Sequence, residues 1–316
     1  MVVIMSLLTP QSSLNSELNT LIARCDFLEL TSSDKAFPNS KGEGLPILRV
    51  NTAACNALIA LQGAHLLSFQ TRNGKPLLWV SPNCDFTPGL ALRGGIPVCL
   101  PWFGPNTQDP KKPKHGFARN RDWQLSDAKL QADGSAQLVF NFISSANELF
   151  DFDFTAQLTM TLGASIKLAI SIKNTDTKPF DCSWVLHSYH PVESLQTVRV
   201  QGLAGRTYLD NLENHAVKTQ DGDVSFPAEV DRVYPAIENA VRIASKPAIE
   251  ITHNNCPSVV VWNPGATNAA KIADIGAGHE QGYICVERGA VLAEKWHLTA
   301  GEAKSAAVEI KEISAI

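Results

Sequence analysis

Across most of this chain, apolar and polar residues alternate with a period of two. Segment 165–173 is the plainest case: Ile166, Leu168, Ile170 and Ile172 share one face, and Lys167, Ala169, Ser171 and Lys173 the other. An extended strand repeats every two residues, whereas an amphipathic helix places its apolar positions at i, i+3 and i+4. The same alternation, or a short apolar run closed by turn residues, predicts strands at 47–50, 55–61, 66–70, 77–80, 137–143 and 150–162. In the second half the corresponding runs are 181–187, 195–200, 231–234, 248–253, 258–262, 283–287 and 306–310. Asn73-Gly74 is a hairpin turn signal that leads into 77–80. Strong helical spacing is confined to the start, where Leu14, Leu18, Leu21 and Ile22 predict a short amphipathic helix over 12–24, or else a tail lying on the main body. Segment 31–44 reads as loose. Many short strands divided by turn residues, without helices between them, predict an all-β fold of large stacked antiparallel sheets and disfavour an α/β one. No composition break and no fixed-period repeat cuts the chain. The expected organisation is an N-terminal extension over 1–30, followed by a single β-sandwich domain over 31–316.

One stretch breaks the alternation. Residues 92–123, LRGGIPVCLPWFGPNTQDPKKPKHGFARNRDW, contain Gly94, Gly95, Pro97, Pro101, Gly104, Pro105, Pro110 and Pro113, which forbid a continuous helix. Ile96, Val98, Leu100, Trp102, Phe103 and Phe117 are too many apolar residues for a solvated linker, so a structured loop pinned to the core is expected. Arg93 and Arg119 stand near its ends, with Lys111, Lys112, Lys114 and His115 between them. Guanidinium forks match phosphate and carboxylate oxygens, so this set suits an anionic ligand. Structural ion pairs for the arginines and a solvated run of lysines are the competing reading.

Composition narrows the class of ligand. The 316 residues carry a net charge of −4, with 44% hydrophobic and 18% charged residues. Nucleic-acid binding normally requires a basic surface, so a local cluster of cations implies a small anion instead. The seven cysteines are odd in number and form no C-x-x-C pair, as expected of reduced, mostly buried thiols in a cytoplasmic protein. The apolar start MVVIMSLL lacks a basic n-region and a cleavage site, so no signal peptide is expected, nor any membrane partner.

Three further segments offer chemistry. In WVLHSYH, His187 ends an apolar strand and can project from a sheet rim into a cleft, or serve as a satisfied core histidine. A metal set of His115, His187 and His190 is disfavoured, because no H-E-x-x-H motif or cysteine pair accompanies it and the arginines and lysines repel a cation. In GRTYLDNL, Asp210 follows an aromatic strand end, although an aspartate before Asn211 is most often a turn former. In YICVE, Glu287 closes an apolar strand, where burial raises a carboxylate's pKa and makes it a fair general base, unless Arg288 claims it as a structural partner.

In chain order, LRGGIPVCLPWFGP, KHGFARNRDW, WVLHSYHPV, TYLDNL, VVVWNPG and YICVERG resemble the glucose-6-phosphate 1-epimerase family, the hexose-6-phosphate mutarotases of the galactose mutarotase-like superfamily, over about residues 40–310. The resemblance implies a β-supersandwich and a monomeric cytoplasmic isomerase that interconverts the α and β anomers of an aldohexose 6-phosphate, glucose 6-phosphate first, without cofactor or metal. It also implies His187 and Glu287 as catalytic residues, Arg93 and Arg119 as substrate-binding arginines, and Asp210 as the sugar-binding aspartate. Lys114 stands where a substrate-contacting glutamine is frequent, beside His115, and a cation there can serve a phosphate. His190 replaces a usual aromatic, and Gly265 a tryptophan common after WNP. Two rivals remain at this point: an aldose 1-epimerase for unphosphorylated sugars, which would leave the arginines without counter-charge, and a non-catalytic sugar-phosphate binding protein.

Overall fold

The computed structural model describes residues 10–42 and 44–314, and among residues 10–15 the backbone alone. The apolar start at residues 1–8 and the side chain of Leu14 lie outside the described residues. A helix spans Pro10–Ile22, and its Leu18, Leu21 and Ile22 pack on the main core. Two eight-stranded sheets dominate, and every ladder is antiparallel between its paired strands. The first runs Arg199–Gln201, Val241–Ala244, Ala248–Asn254, Ala303–Ile313, Ile166–Asn174, Phe154–Leu162, Ala136–Ser144 and Gln124–Leu130. The second runs Ala216–Thr219, Thr207–Asp210, Val230–Tyr234, Ser258–Asn263, Tyr283–Ala290, Trp184–Leu186 and Val98–Cys99, with Tyr189–Pro191 also paired to Tyr283–Ala290. A four-stranded sheet (Leu28–Ser32, Pro46–Asn51, Cys55–Ala60, His65–Thr71) and a two-stranded one (Phe180–Cys182, Trp296–Leu298) complete the body. The expected all-β architecture is therefore present. No helix of the described residues is long and apolar enough to cross a membrane.

The alternation read from sequence decides which face of each strand is buried. Ladder pairing aligns Leu138, Met160, Leu168 and Val308 in one row across four strands, and all four are buried in the main core. Their neighbours along each strand turn outward, so the first sheet has one dry face. The second sheet is covered on both faces: every residue of Tyr283–Ala290 is buried. Ile284, Val286 and Ala290 enter the core between the sheets, while Tyr283 and Cys285 join a separate cluster with Tyr189 and Ile275 on the opposite side.

Several expectations shift. Segment 31–44 is not wholly loose, because Leu28–Ser32 pairs with Pro46–Asn51 and Ser33–Ala36 is a short helix. The Asn73-Gly74 turn forms, with Gly74 N–H on the Thr71 carbonyl, but 77–80 is not a ladder strand. Its partners change at each step: Leu77 N–H goes to Phe69 O and Trp79 N–H to Tyr189 O, while Gly95 N–H returns to Trp79 O. The segment is extended because it crosses between sheets. Segment 181–187 divides into Phe180–Cys182 and Trp184–Leu186, which belong to different sheets.

The RGG motif has a steric cause. Gly94 and Gly95 adopt φ of +121° and +61°, and a Cβ on Gly95 would lie 2.3 Å from Leu66 O, one on Gly94 2.4 Å from the Val80 Cα. Only glycine fits both the left-handed backbone and that approach. His65, buried beneath, holds the turn with Nε2 2.7 Å from Gly94 O. Gly95→Ala is expected to cost about 1–3 kcal/mol through strain and overpacking, read as a fall of several degrees in Tm in a thermal melt. An unchanged Tm would mean that the turn yields freely and does not fix Arg93.

Candidate active site

Strand register brings the central pair together. Leu186 lies opposite Arg288 and Tyr189 opposite Cys285, so the intervening His187 falls directly across from Glu287. Both point to the face away from the inter-sheet core, like Val185, Tyr189, Tyr283 and Cys285. The distance from His187 Nδ1 to Glu287 Oε1 is 3.4 Å, with side chains 7% and 1% exposed. Among the described residues, neither Glu287 oxygen nor His187 Nδ1 has a hydrogen-bond partner. The RGGIP segment clamps the histidine from behind: His187 N–H donates to Pro97 O at 2.9 Å and Tyr189 N–H to Gly95 O at 2.9 Å.

Burial controls the protons of this pair. Burial first, then the nearby Asp231, pushes the Glu287 carboxyl well above its usual range, with Arg119 opposing. Burial first, then His115, Arg119 and Arg93, pushes His187 well below 6.5. Each shift favours the neutral form, so one mobile proton belongs to the pair as a unit.

The loop residues gather around it. The ring of His115 meets His187 edge-on at 5.7 Å and Phe103 at 4.8 Å. Its Nδ1 accepts the Gly104 N–H at 3.2 Å, which puts the ring hydrogen on Nε2. Burial, with help from Arg119, Arg93 and Lys114, lowers its pKa to about 3, so it is a neutral donor. Arg119, on the single turn Ala118–Asn120, donates from Nη2 to Lys114 O at 2.9 Å, while its buried Nε has no partner among the described residues. Lys114 and Lys111 are exposed, and Lys112 lines a different hollow of about 580 Å³ with Trp102 and Phe150. Arg93 donates from Nη1 to Tyr189 Oη and from Nε to Asp274 Oδ2, each at 3.1 Å. The Tyr189 ring in turn stacks on His187 at 4.8 Å.

Two expected residues sit elsewhere. Asp210 pairs in register with Arg232, whose row continues through Val261 to Val286 on the core-facing side. Its carboxylate caps Leu212 N–H at 3.1 Å and binds Lys218 at 3.0 Å, so the structure does not join it to His187. The turn-forming alternative describes it. His190 pairs with Ile284, also on the core side, with Nδ1 3.1 Å from Leu77 O, so His115, His187 and His190 are not one ligand set. At Gly265 a Cβ would meet Glu229 N at 2.7 Å, which leaves no room for a side chain such as the tryptophan the resemblance would place there.

Besides Asp274, four residues on the site escaped the sequence reading. Asp231, Trp262, Cys285 and Tyr189 form one cross-strand row next to the row of Val260, Glu287 and His187. Asp231 accepts from Asn211 Nδ2 at 2.7 Å, and burial raises its pKa. Half-buried Trp262 lies edge-on to His187 at 6.0 Å and offers an apolar wall. Counting by two from His187 and Glu287 finds Tyr189 and Cys285. Asp231 needed the register, and Asp274 lies in a turn with no pattern.

Ligand atoms of His187, Cys285 and Glu287 lie within 4.8 Å of one another, close enough for a cation. Burial, followed by Glu287, pushes the Cys285 thiol well above its usual range, so a metal would have to displace protons beside two guanidiniums. The set suits proton transfer better.

Comparison with known proteins agrees with the geometry. Residues 46–311 match the family described as Aldose 1-epimerase. A "Putative glucose-6-phosphate 1-epimerase" of Cenchrus ciliaris is 34% identical over 251 residues, 75% of each chain. One of the same name from Salmonella typhimurium is 34% identical over 252 residues, 78% of this chain and 83% of that one. A crystal structure titled "putative mutarotase (YeaD)", also from Salmonella typhimurium, superposes with a TM-score of 0.77 at 30% identity, over 85% of this chain and 91% of the other. With the sandwich, the ordered motifs and the buried His187–Glu287 couple, these matches make the chain a member of the aldose 1-epimerase family.

Proposed function

We propose that this epimerase interconverts the α and β anomers of an aldohexose 6-phosphate, glucose 6-phosphate first, with Glu287 and His187 as its acid–base pair. The observation that carries the reading is the buried His187–Glu287 couple 3.4 Å apart, whose imidazole Nδ1 and carboxylate oxygens have no hydrogen-bond partner among the described residues. Ring opening removes the proton of the anomeric hydroxyl and delivers one to the ring oxygen. Rotation about the bond to the aldehyde carbon and reversal of both transfers then give the other anomer. Glu287 serves as base and His187 as acid, and the roles exchange on closure. The proton count returns to its starting value, so no cofactor is needed. Arg119, whose charge opposes the upward shift of Glu287, favours its ionised form as the substrate hydroxyl enters. Neutral His115 offers Nε2–H to a sugar oxygen, and Asp231 beside Trp262 accepts ring hydroxyls, the role first expected of Asp210.

The phosphate is assigned to Arg93, Arg119 and Lys114. Arg93 stands one tyrosine ring away from His187, about the reach from an anomeric carbon to a C6 substituent. The relatives' name supports this substrate class. Seven buried, unpaired thiols support a cytoplasmic location, and the single-chain site a monomer.

Anomer exchange followed by NMR saturation transfer tests the substrate: kcat/KM for glucose 6-phosphate is expected to exceed that for glucose. Equal acceleration of the two would favour an unphosphorylated aldose, and saturable binding without acceleration a non-catalytic protein. Glu287→Gln and His187→Asn are each expected to lower kcat by ~10²- to 10⁴-fold with little change in KM, because proton transfer is lost while binding groups remain. A kcat within a few-fold of wild type would remove the pair from the chemistry.

Stability gives an independent readout. The folded-state pKa of Glu287 is raised above 4.5. Its contribution is therefore fully present below 4.5 and is lost as pH rises towards the folded value, at about 1.4 kcal/mol per unit. Glu287→Gln has no such loss, so its Tm should gain on wild type by a few degrees between pH 4.5 and pH 8. A Tm difference independent of pH would show that Glu287 ionises as freely folded as unfolded.

A further inference from the structure

A carboxylate sits where an anion is expected to bind. Asp274 lies in a turn after the helix Gly265–Ala269, and its one hydrogen bond among the described residues is to Arg93 Nε. The turn is held firmly: Ile275 is fully buried, and its carbonyl accepts from Asn83 Nδ2 at 2.9 Å. Arg93 approaches from the opposite side, anchored through its N–H on Cys84 Sγ and through Nη1 on Tyr189. Both side chains remain about one-quarter exposed, at 23% and 27%. Nη2 makes no hydrogen bond among the described residues, which leaves it as the edge open to a ligand.

We infer that Asp274 is a specificity-determining residue of the anion subsite, fixing the orientation of Arg93 while offsetting its charge, so that free phosphate is held weakly and the sugar must contribute to binding. The inference rests on the assignment of Arg93 to the phosphate. Two bare guanidiniums and a lysine would attract any small anion. With Asp274 on the Nε edge, the Arg93 site is electrically neutral and recognises an oxygen by the direction of Nη2–H. Repulsion from Asp274 falls on the phosphate of any ligand, and only a hexose 6-phosphate recovers the loss through Trp262, Asp231 and the acid–base pair.

Two variants separate charge from position. Asp274→Asn keeps an acceptor for Arg93 Nε and removes the charge, whereas Asp274→Ala removes both. With inorganic phosphate as competitive inhibitor of anomer exchange, Asp274→Asn is expected to lower Ki about tenfold, the effect of deleting one unit charge at roughly 6 Å in a medium of effective dielectric about 40. Asp274→Ala should raise KM for glucose 6-phosphate relative to Asp274→Asn, because Arg93 loses its orientation. A Ki for phosphate unchanged in Asp274→Asn overturns the inference. The substrate assignment fails separately, on a wild-type enzyme that treats glucose and glucose 6-phosphate alike; phosphate inhibition of glucose anomer exchange then still reads the charge effect of Asp274.

Discussion

The site depends on a single strand register. His187 and Glu287 are 100 residues apart in sequence, and they meet because Trp184–Leu186 and Tyr189–Pro191 pair with Tyr283–Ala290 in one unbroken alignment. A slip of one residue would turn one of the two into the inter-sheet core. Leaving a polar atom buried and unpaired costs about 1–3 kcal/mol, so this alignment opposes its own chemistry. The apolar residues on the other side of the same strands and of the adjoining Ser258–Asn263 decide the contest. Leu186, Ile284, Val286 and Val261 are fully or almost fully buried, and each such side chain contributes about 1.5–3 kcal/mol. Together they outweigh the strain on the pair, and the fold can hold a reactive couple dry.

That balance also explains why period-two reading succeeded for the elements and only partly for the site. The alternation in 165–173 reports burial directly, because one face of that sheet is wet. Tyr283–Ala290 is buried on both faces, and its sequence reads as an apolar run in which Glu287 is the anomaly. An anomaly marks a candidate without naming its partner. His187 and Glu287 were legible as candidates through their positions at apolar strand ends and through the family motifs. Asp210 and Asp231 show the limit: each sits in a short strand with aromatic or branched neighbours, and only pairing with Arg232 or with Trp262 tells which carboxylate faces the cleft. Extended segments that cross between sheets, such as 77–80, look like strands because the backbone is extended, although their hydrogen bonds go to different elements in turn.

The proline- and glycine-rich stretch is the complement of this rigid floor. Its fixed points are backbone contacts: Gly94 and Gly95 against Val80 and Leu66, Gly104 N–H on His115, and Phe103 N–H on Ser183 Oγ at 3.0 Å. These place Arg93 and Arg119 at the two ends of one loop and His115 between them. A helix would spread such residues around its surface, and a strand would send alternate ones to opposite faces. An irregular segment locked to the core can aim all three at one hollow.

Charge accounting then closes the site. Arg93, Arg119 and Lys114 supply three positive charges, while Asp274 removes one of them locally and Asp231 adds a carboxylate that pushes Glu287 upward. Without Arg119, burial and Asp231 would both keep the proton on Glu287; with it, ionised and protonated forms are brought closer, which is what the proposed alternation of Glu287 between base and acid requires. On the proposed assignment, the guanidinium that attracts the phosphate also tempers the carboxyl that works on the anomeric hydroxyl. On that assignment the two ends of the substrate are coupled through one charge, which favours a molecule with an anion at one end and a labile proton at the other.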